Sequence, residues 1–354
     1  MASTFNKTLL LCPEKYSLFR SFSDVLKVVS NEVVGFDVRK KIDKRSFRFD
    51  AQMFRFPNKI RTKWEDHFFG KINKLILEEF KRVKPDLVFI YNSEFLLPET
   101  CEMMKKDSKL IFFMGDSPFY TPANNYYLTV LSYADLVLAP DSFWLEQLNT
   151  LGITKTAFYL NAIESDSYFE LEKSKIEDIP ETDVMYVGMC YVNSWGYKKA
   201  LLMDQFTNFN FKLYGNTVWK RWFNYFPELE NKFSLSGHIP TEKLNKMFNK
   251  TKLIPVDGNP AIINGVHVRA LEALGSGALP LMEYRKDIDT LIFKEFGKDL
   301  PLIRNYSKAS EVASYYLKND TERKDLAAAM KDFISKKYSV QNNAAIITDL
   351  LNKK

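Results

Sequence analysis

Asn264-Gly-Val-His-Val-Arg-Ala-Leu-Glu-Ala-Leu-Gly-Ser-Gly-Ala-Leu-Pro-Leu-Met282 joins a helix signal to a strand signal. Asn264 is a favourable N-cap, so the pattern predicts a helix that begins near Gly265. The helical period then places Gly265, Arg269 and Glu272 on one side. The glycines near its end break the helix before an apolar run that is typical of a strand. The stretch therefore predicts a helix-to-strand unit whose helix has one polar side.

The polar side of this helix has two interpretations. A helix start offers free backbone N–H groups and the positive end of the helix dipole, which suit a phosphate. A carboxylate about two turns further along can accept hydrogen bonds from sugar hydroxyls, and together these features indicate a nucleotide-sugar site. The alternative is a surface helix with an Arg269–Glu272 pair at i, i+3, and the pattern alone does not decide between the two.

Short apolar runs alternate with helical stretches along the whole chain. Eight runs have the composition of strands buried on both faces. They are residues 8–12, 86–91, 109–114, 134–139, 183–187, 211–214, 252–256 and 278–282. This alternation is typical of mostly parallel sheets wrapped by helices, whose ligands lie beyond the carboxyl ends of the strands. Four runs fall in each half of the chain, so the sequence predicts two such α/β sheets.

The chain of 354 residues is longer than one ordinary domain. Residues 169–182 form a charged, proline-containing stretch that is typical of a linker. We therefore expect one domain over residues 1–168 and a second over residues 183–324. The last segment, residues 325–354, has helical composition without strands of its own, and we expect it to pack back across both domains.

The composition limits the class of protein. Hydrophobic residues make up 46% and charged residues 27%, as in ordinary globular proteins. The 50 basic and 44 acidic residues give a net charge of +6, which favours anionic ligands or an anionic membrane surface only weakly and does not indicate nucleic acid. Cys12, Cys101 and Cys190 have neither disulfide-framework nor zinc-site spacing.

No secretory signal opens the sequence, and no apolar run reaches the about 18 residues that span a bilayer. We therefore expect a cytoplasmic protein whose membrane contact, if any, is peripheral at the inner face. Residues 214–226 interleave aromatic with basic residues. This segment is either a half-buried helix or a surface that rests on a membrane or an acceptor.

Several segments, taken in order, resemble those of one enzyme family. Residues 159–169 contain Asn161-Ala-Ile-Glu164 followed by Phe169, and Asp183-Val-Met-Tyr-Val-Gly188 and His238-Ile-Pro240 come after them. They resemble the hinge, the first donor-domain strand and the turn before the penultimate helix of glycosyltransferases with the GT-B fold, most closely the group related to the CgeB spore-maturation proteins. Residues 264–282 resemble the donor helix of that family.

The resemblance covers most of the chain and implies a specific fold and activity. The implied fold is two Rossmann-like parallel-sheet domains that face each other across a cleft, with a C-terminal helix crossing back to the first domain. The implied activity is transfer of a sugar from a nucleotide-sugar donor to a glycan, lipid-linked or protein acceptor, in surface polysaccharide or glycoconjugate synthesis. No metal or other cofactor is expected, because the family commonly stabilises the leaving diphosphate with helix N-termini and basic side chains.

Retaining members of the family often carry two glutamates eight positions apart. Glu272 fits the second, and Asn264 stands where the first would be. The stereochemical outcome and the sugar contact therefore stay open. Two alternatives remain: a nucleotide-sugar epimerase of GT-B shape, and a non-catalytic sugar- or nucleotide-binding component of the envelope or spore coat.

The resemblance also implies which residues hold the donor. They are Gly188, Lys198, Lys199, Tyr214, Gly215, His238, Asn264, Gly265, Arg269 and Glu272. Gly188 permits close approach of the backbone, and one of the two lysines supplies the basic phosphate contact. The alternatives are a solvated charge at a helix start for each lysine and a turn residue for His238.

The acceptor side is expected in the first domain. Asp116 follows a predicted strand and should lie at the carboxyl edge of the sheet. It resembles the position of a catalytic His or Asp, and a role as base requires burial that raises its pKa. The alternative is an Asx turn. Asn92, Ser93 and Glu94 follow the preceding strand and are candidates to line the acceptor, or they form an ordinary polar loop.

Overall fold

The computed structural model describes residues 4–15, 17–92, 95–119, 126–258 and 261–352. The chain forms two compact units. Unit 1 comprises Met1–Asn161 with Val340–Lys354, and unit 2 comprises Ala162–Ser339. The charged stretch 169–182 therefore lies within unit 2, and the C-terminal helical segment is divided between the two units.

The elements alternate as the apolar runs predict. The strands are β1 (Phe5–Leu11), β2 (Ser30–Phe36), β3 (Leu87–Tyr91), β4 (Lys109–Phe113), β5 (Leu136–Ala139), β6 (Thr156–Phe158), β7 (Thr182–Val187), β8 (Phe211–Gly215), β9 (Phe233–Leu235), β10 (Thr251–Val256), β11 (Leu279–Glu283) and β12 (Leu302–Ile303). The helices are α1 (Ser17–Val29), α2 (Lys44–Asp50), α3 (Asn58–Val83), α4 (Pro98–Lys105), α5 (Tyr127–Leu131), α6 (Ser142–Thr150), α7 (Ser194–Asp204), α8 (Glu228–Lys232), α9 (Thr241–Asn249), α10 (Arg269–Gly275), α11 (Ala309–Lys318), α12 (Asp320–Lys337) and α13 (Val340–Asn352).

Each unit contains one six-stranded sheet. The strand order is β2-β1-β3-β4-β5-β6 in unit 1 and β12-β11-β10-β7-β8-β9 in unit 2. Every pairing is parallel. The prediction of two mostly parallel α/β sheets is confirmed.

The eight predicted runs correspond to the four inner strands of each sheet. The four strands that the apolar runs miss, β2, β6, β9 and β12, are the edge strands of the two sheets. Inner strands are covered on both faces, so their sequences are continuously apolar. An edge strand such as β2 is buried only at its two end residues and is exposed or half-buried between them, so it gives no such run.

The core of unit 1 lies between its sheet and the helices α1 and α13. Side chains of β1, β3, β4 and β5 are buried there beside Phe22 of α1 and Ile347 of α13. The Asn343 side chain donates from Nδ2 to the buried carbonyl of Leu160 at 3.0 Å, which ties α13 to the end of the first segment of the unit.

The strand order reverses once in each sheet. In unit 1 the chain passes from β1 to β2 on one side and then to β3 on the other. In unit 2 it passes from β7 through β8 to β9 and then returns to β10 on the other side of β7. Ligands of open parallel sheets bind at the carboxyl ends of the strands at such reversals. These two edges are therefore where a site is to be sought.

Among the residues described, no helix has both the length and the apolar composition needed to cross a membrane.

Candidate functional site

The segment predicted as the donor helix is shorter than its sequence pattern indicates. Helix α10 begins at Arg269 and has seven residues, so the predicted start at Gly265 with Asn264 as N-cap is wrong. Residues 261–268 form an irregular loop in which the Asn264 carbonyl accepts the Asp287 N–H at 2.9 Å. The Nδ1 atom of His267 accepts the Arg269 N–H at 3.1 Å, the bond that a capping side chain would otherwise make.

Arg269 and Glu272 lie together on α10, as their spacing predicts. Arg269 Nη1 is 2.5 Å from Glu272 Oε2, and both side chains are largely buried. The guanidinium lies 5.5 Å from the centre of the Phe248 ring. Burial and then the nearby Glu272 charge raise the pKa of Tyr168, which lies against the same carboxylate. The pair is therefore packed within unit 2, and it is not part of an open surface helix.

Three side chains form a buried hydrogen-bonded network at the carboxyl ends of β7 and β10. Tyr186 Oη is 2.7 Å from Asp257 Oδ1, and Lys199 Nζ is 2.9 Å from Asp257 Oδ2 and 2.6 Å from Tyr186 Oη. Burial opposes the charge on Asp257, but the Lys199 ammonium together with the Tyr186 hydroxyl lowers the pKa of this carboxyl. Burial likewise opposes the charge on Lys199, whose pKa is nevertheless raised by Tyr186 and Asp257.

Lys199, a predicted phosphate contact, is therefore occupied by buried partners. Its ammonium lies between Tyr186 of β7 and Asp257, which directly follows β10, so it joins the carboxyl ends of these two strands at the strand reversal. Sequence analysis missed Asp257, although a carboxylate that directly follows a predicted inner strand is the signal that could have found it.

A second carboxylate, that of Glu283, pairs with two cationic side chains at the carboxyl edge of the same sheet. These three residues are called the rim below. Glu283, the last residue of β11, accepts the Gly258 N–H at 3.0 Å and lies 2.7 Å from Lys198 Nζ and 3.1 Å from Arg285 Nη2. Lys198 is partly exposed and its Nζ lies 5.0 Å from the centre of the Trp195 ring. Sequence analysis named Lys198 but missed Glu283, which directly follows the run 278–282, and Arg285 two residues later.

Gly188 and Gly215 are required by packing. A Cβ on Gly215 would lie 2.4 Å from the Gly188 carbonyl and 2.3 Å from Trp219 Nε1. Trp219 Nε1 donates to that carbonyl at 2.9 Å. Tyr214 is half-buried in β8, and His238 is exposed in the loop after β9. The ends of β7 and β8 thus need two glycines whether or not a ligand binds above them.

The carboxyl edge of unit 1 contains Asp116, which is exposed. Asn92, in the left-handed conformation with φ 50°, holds it in place. The Asn92 Oδ1 atom accepts the N–H groups of Gly115 at 2.8 Å and of Asp116 at 3.3 Å, and its Nδ2 donates to Asp116 Oδ2 at 2.9 Å. The structure thus places these two predicted residues together at one edge of the sheet, and their roles toward an acceptor stay predictions. Ser93 and Glu94 lie outside the described residues.

A pocket of about 70 Å³ lies beside Asn92, at the strand reversal of unit 1. The loop after β2 closes one side, where the Asp37 carboxylate accepts the N–H groups of Glu14 at 3.1 Å and of Arg39 at 3.0 Å. The walls are mainly apolar side chains from the ends of β1, β2 and β3, from the loop after β3 and from α3. They include Leu11, Phe36, Ile72, Ile76, Ile90, Phe95 and Leu96.

The comparisons with known proteins agree with this architecture. Residues 198–349 match a family model described as glycosyl transferase-like. The fold is similar to the trehalose-6-phosphate protein of E. coli bound with UDP-2-fluoro glucose (13% identity, 99% of this chain and 100% of that one, TM-score 0.62). It is also similar to HepE of Anabaena in complex with UDP-glucose (12%, 99% and 100%, 0.62) and to a sucrose-phosphate synthase of Thermosynechococcus elongatus (9%, 98% and 98%, 0.66).

No curated protein sequence matches the chain. The two parallel-sheet units have the GT-B type of fold, and the glycosyl transferase-like family model matches the chain from α7 to α13.

Proposed function

We propose that this protein is a glycosyltransferase that moves a sugar from a nucleotide-sugar donor held by unit 2 to a glycan, lipid-linked or protein acceptor held by unit 1. A role in surface polysaccharide or glycoconjugate synthesis and kinship with the CgeB-related group are part of the proposal. Two structures of similar fold contain UDP-2-fluoro glucose and UDP-glucose. A uridine diphosphate sugar is therefore the first donor to test.

The observation that carries the proposal is the cationic rim of unit 2. Lys198 and Arg285 converge on Glu283 beside Gly258, where the strand order reverses. Departure of a nucleoside diphosphate needs positive groups already in place, because charge develops on the leaving oxygen. In this arrangement a diphosphate competes with Glu283 for the two cations. Arg285 is the better fixed of the two, since its guanidinium rests on the Gly258 backbone.

The buried network of Tyr186, Lys199 and Asp257 positions the loops that carry the rim. Lys199 is bound to Asp257 and Tyr186, so its proposed role is to position the loops after β7 and β10. Glu272 retains its proposed contact with ribose or sugar hydroxyls, and Arg269 orients it through their ion pair. Gly188, Tyr214, Gly215, His238, Asn264 and Gly265 remain candidates to line the donor.

On the acceptor side, Asp116 is the proposed base. The hydrogen bond from Asn92 Nδ2 fixes the carboxylate at the edge of the sheet. Because Asp116 is exposed, the burial that a base requires would have to come from the bound substrates. The neighbouring apolar pocket suits a nonpolar part of an acceptor better than a second sugar, because its walls offer few hydrogen-bonding groups. Lipid-linked and aromatic acceptors are therefore the first to test.

The test starts with thermal shift against UDP-, GDP-, ADP- and CMP-sugars, followed by nucleotide release with and without acceptors. Lys198→Gln and Arg285→Gln should each weaken donor binding by about tenfold or more, the effect of losing one charge-assisted hydrogen bond. Lys243→Gln on α9, which removes the charge of an exposed lysine of the same unit, should leave donor binding normal. Activity should persist in a metal chelator.

The outcomes separate the alternatives. Isomerised sugar or donor formed without an acceptor would replace the proposal with an epimerase. Donor binding without turnover, with every class of acceptor, would indicate a non-catalytic binding protein. Normal donor affinity in both rim variants would refute the assignment of the rim, while Glu272→Gln and Asp116→Asn test the contacts with the sugar and the acceptor separately.

A further inference from the structure

The positive charge of this chain is concentrated in one short segment. Residues 38–63, called the basic segment below, contain ten Lys or Arg and two Asp, a net charge of +8. The rest of the chain has 40 basic and 42 acidic residues, because the totals are 50 and 44. The excess of +6 therefore does not reflect a dispersed surface charge. It comes from 26 consecutive residues of unit 1.

The basic segment is at the surface of unit 1. It comprises the 3₁₀ turn Val38–Lys41, helix α2, the 3₁₀ turn Met53–Arg55 and the first turns of α3. Eight of its ten basic residues are exposed: Lys40, Lys41, Lys44, Arg45, Arg48, Arg55, Lys59 and Lys63. Lys40 pairs with Glu14 and Arg61 with Glu65, but these two acids lie outside the segment and do not remove its excess.

Large apolar side chains are exposed between these cations. Phe54 is 63% exposed, Ile60 52%, Phe49 44% and Phe56 42%. The Phe49 and Phe56 rings are 6.1 Å apart, and Phe49 packs edge-on against Trp64 at 4.6 Å. The Arg55 guanidinium lies 5.3 Å from the centre of the Phe54 ring. Clustered exposed rings of this kind are unfavourable in water and mark a binding surface.

We propose that the basic segment is a docking surface for an anionic lipid bilayer. Lysine and arginine gain favourable energy near anionic headgroups, while phenylalanine and isoleucine insert at the boundary between headgroups and acyl chains. A nucleic acid would use the same cations and stack on rings, but it offers no apolar phase for Ile60 or for the tip of Phe54. The combination therefore favours a membrane. This inference extends the proposed sugar transfer and does not depend on it.

The other aromatic and basic segment, residues 214–226, is less suited to this role. Trp219 is fully buried and Trp222 nearly so, and their indole N–H groups donate to backbone carbonyls of unit 2. The half-buried interpretation of that segment is the one consistent with this packing. Its tryptophans are not available to a bilayer, whereas the rings of the basic segment are.

The test is sedimentation of the full chain with vesicles. Vesicles of phosphatidylcholine alone are compared with vesicles that contain about one third phosphatidylglycerol, at about 0.05 M and about 0.5 M salt. The charge variant carries Lys44→Gln, Arg45→Gln, Arg48→Gln and Lys59→Gln. Its matched control carries Lys294→Gln, Lys298→Gln, Lys318→Gln and Lys324→Gln, four exposed lysines of unit 2.

Wild type should bind the anionic vesicles at low salt and much more weakly at high salt. Each basic residue near such a surface raises the partition coefficient about fivefold. The charge variant should therefore bind the anionic vesicles about a hundredfold or more weakly than wild type, and the control should bind them like wild type. A Phe54→Ser, Ile60→Ser variant should lose about tenfold while its salt dependence stays close to wild type.

Circular dichroism establishes that each variant is folded. Equal losses in the charge variant and its control would overturn the proposal, as would absence of wild-type binding to anionic vesicles. Salt-sensitive binding to a single-stranded RNA of about 30 nucleotides, without binding to vesicles, would also overturn it and indicate a nucleic-acid surface.

Discussion

His267 should make unit 2 lose stability in mild acid. This half-buried imidazole accepts the Arg269 N–H on Nδ1 at 3.1 Å, so protonation of that atom would break the bond. Burial, and next the nearby Arg269 and Lys199 cations, lower the pKa of His267 to about 4, while Asp257 acts in the opposite direction. The folded chain therefore holds the neutral ring to a much lower pH than the unfolded chain does.

The sign and size of the effect follow from this difference. The pKa of an unfolded histidine is about 6.5, so between about pH 6.5 and pH 4 the unfolded chain binds a proton that the folded chain does not. The free energy of unfolding must then fall as the pH falls. The contribution of this one group is complete above about pH 6.5, about 2 kcal/mol smaller at pH 5 and about 3 kcal/mol smaller at pH 4.

His267→Asn isolates this contribution, because the amide oxygen can still accept the Arg269 N–H but does not titrate. The assay is guanidinium unfolding at pH 7, 6 and 5, followed by ¹⁹F NMR of fluorotryptophan. Trp195, Trp219 and Trp222 report on unit 2 separately from the tryptophans of unit 1. Wild type should lose about 2 kcal/mol more than the variant between pH 7 and pH 5.

His238→Asn is the matched control, since His238 is an exposed histidine of the same unit. That variant should follow the wild-type dependence on pH. Parallel curves for wild type and His267→Asn would refute the argument, and so would an imidazole signal of His267 that titrates near pH 6.5.

Two further predictions concern stability. Lys199→Met should cost about 3 to 5 kcal/mol, because it leaves the Asp257 carboxylate buried without its cation. The double variant Lys199→Met, Asp257→Asn should lose at least about 1 kcal/mol less stability than the sum of the two single losses, measured by chemical denaturation. Strictly additive losses would exclude energetic coupling between the two side chains. Gly277→Ala should cost about 1 kcal/mol or more, because Gly277 has φ +81°. Gly237→Ala, with open space around the new methyl, should stay within about 0.5 kcal/mol of wild type in thermal unfolding.

The positions of residues that directly follow a strand were predictable from the sequence. Asp116 and Asn92 follow buried runs, and parallel topology brings residues after neighbouring strands to one edge. Their hydrogen bonds meet this expectation. The helix start at Asn264 was not predictable in the same way, because a good N-cap residue acts only where the loop leaves its side chain free to cap. Here the backbone of Asn264 bonds to Asp287, and His267 accepts the N–H at the helix start.

The ion-pair partners of the charged residues at the rim could not be predicted from the local sequence. Lys198 could be named from its place after a strand and a loop, but its carboxylate, Glu283, is 85 residues away in the sequence. Lys199 is adjacent in sequence and yet points to Asp257 in the buried layer. Neighbouring residues on a helix face different directions, so which lysine is accessible depends on what packs against each face.

The sequence by itself determined the class of fold, since continuous apolar runs identify strands covered on both faces and their alternation with helices requires parallel sheets. Only the tertiary structure decided the edge strands, whose half-exposed pattern gives no such signal, and the division of the C-terminal helices between the units. It also decided which of two adjacent lysines is buried. Burial and ion pairing depend on residues that are distant in sequence, and local periodicity carries no information about them.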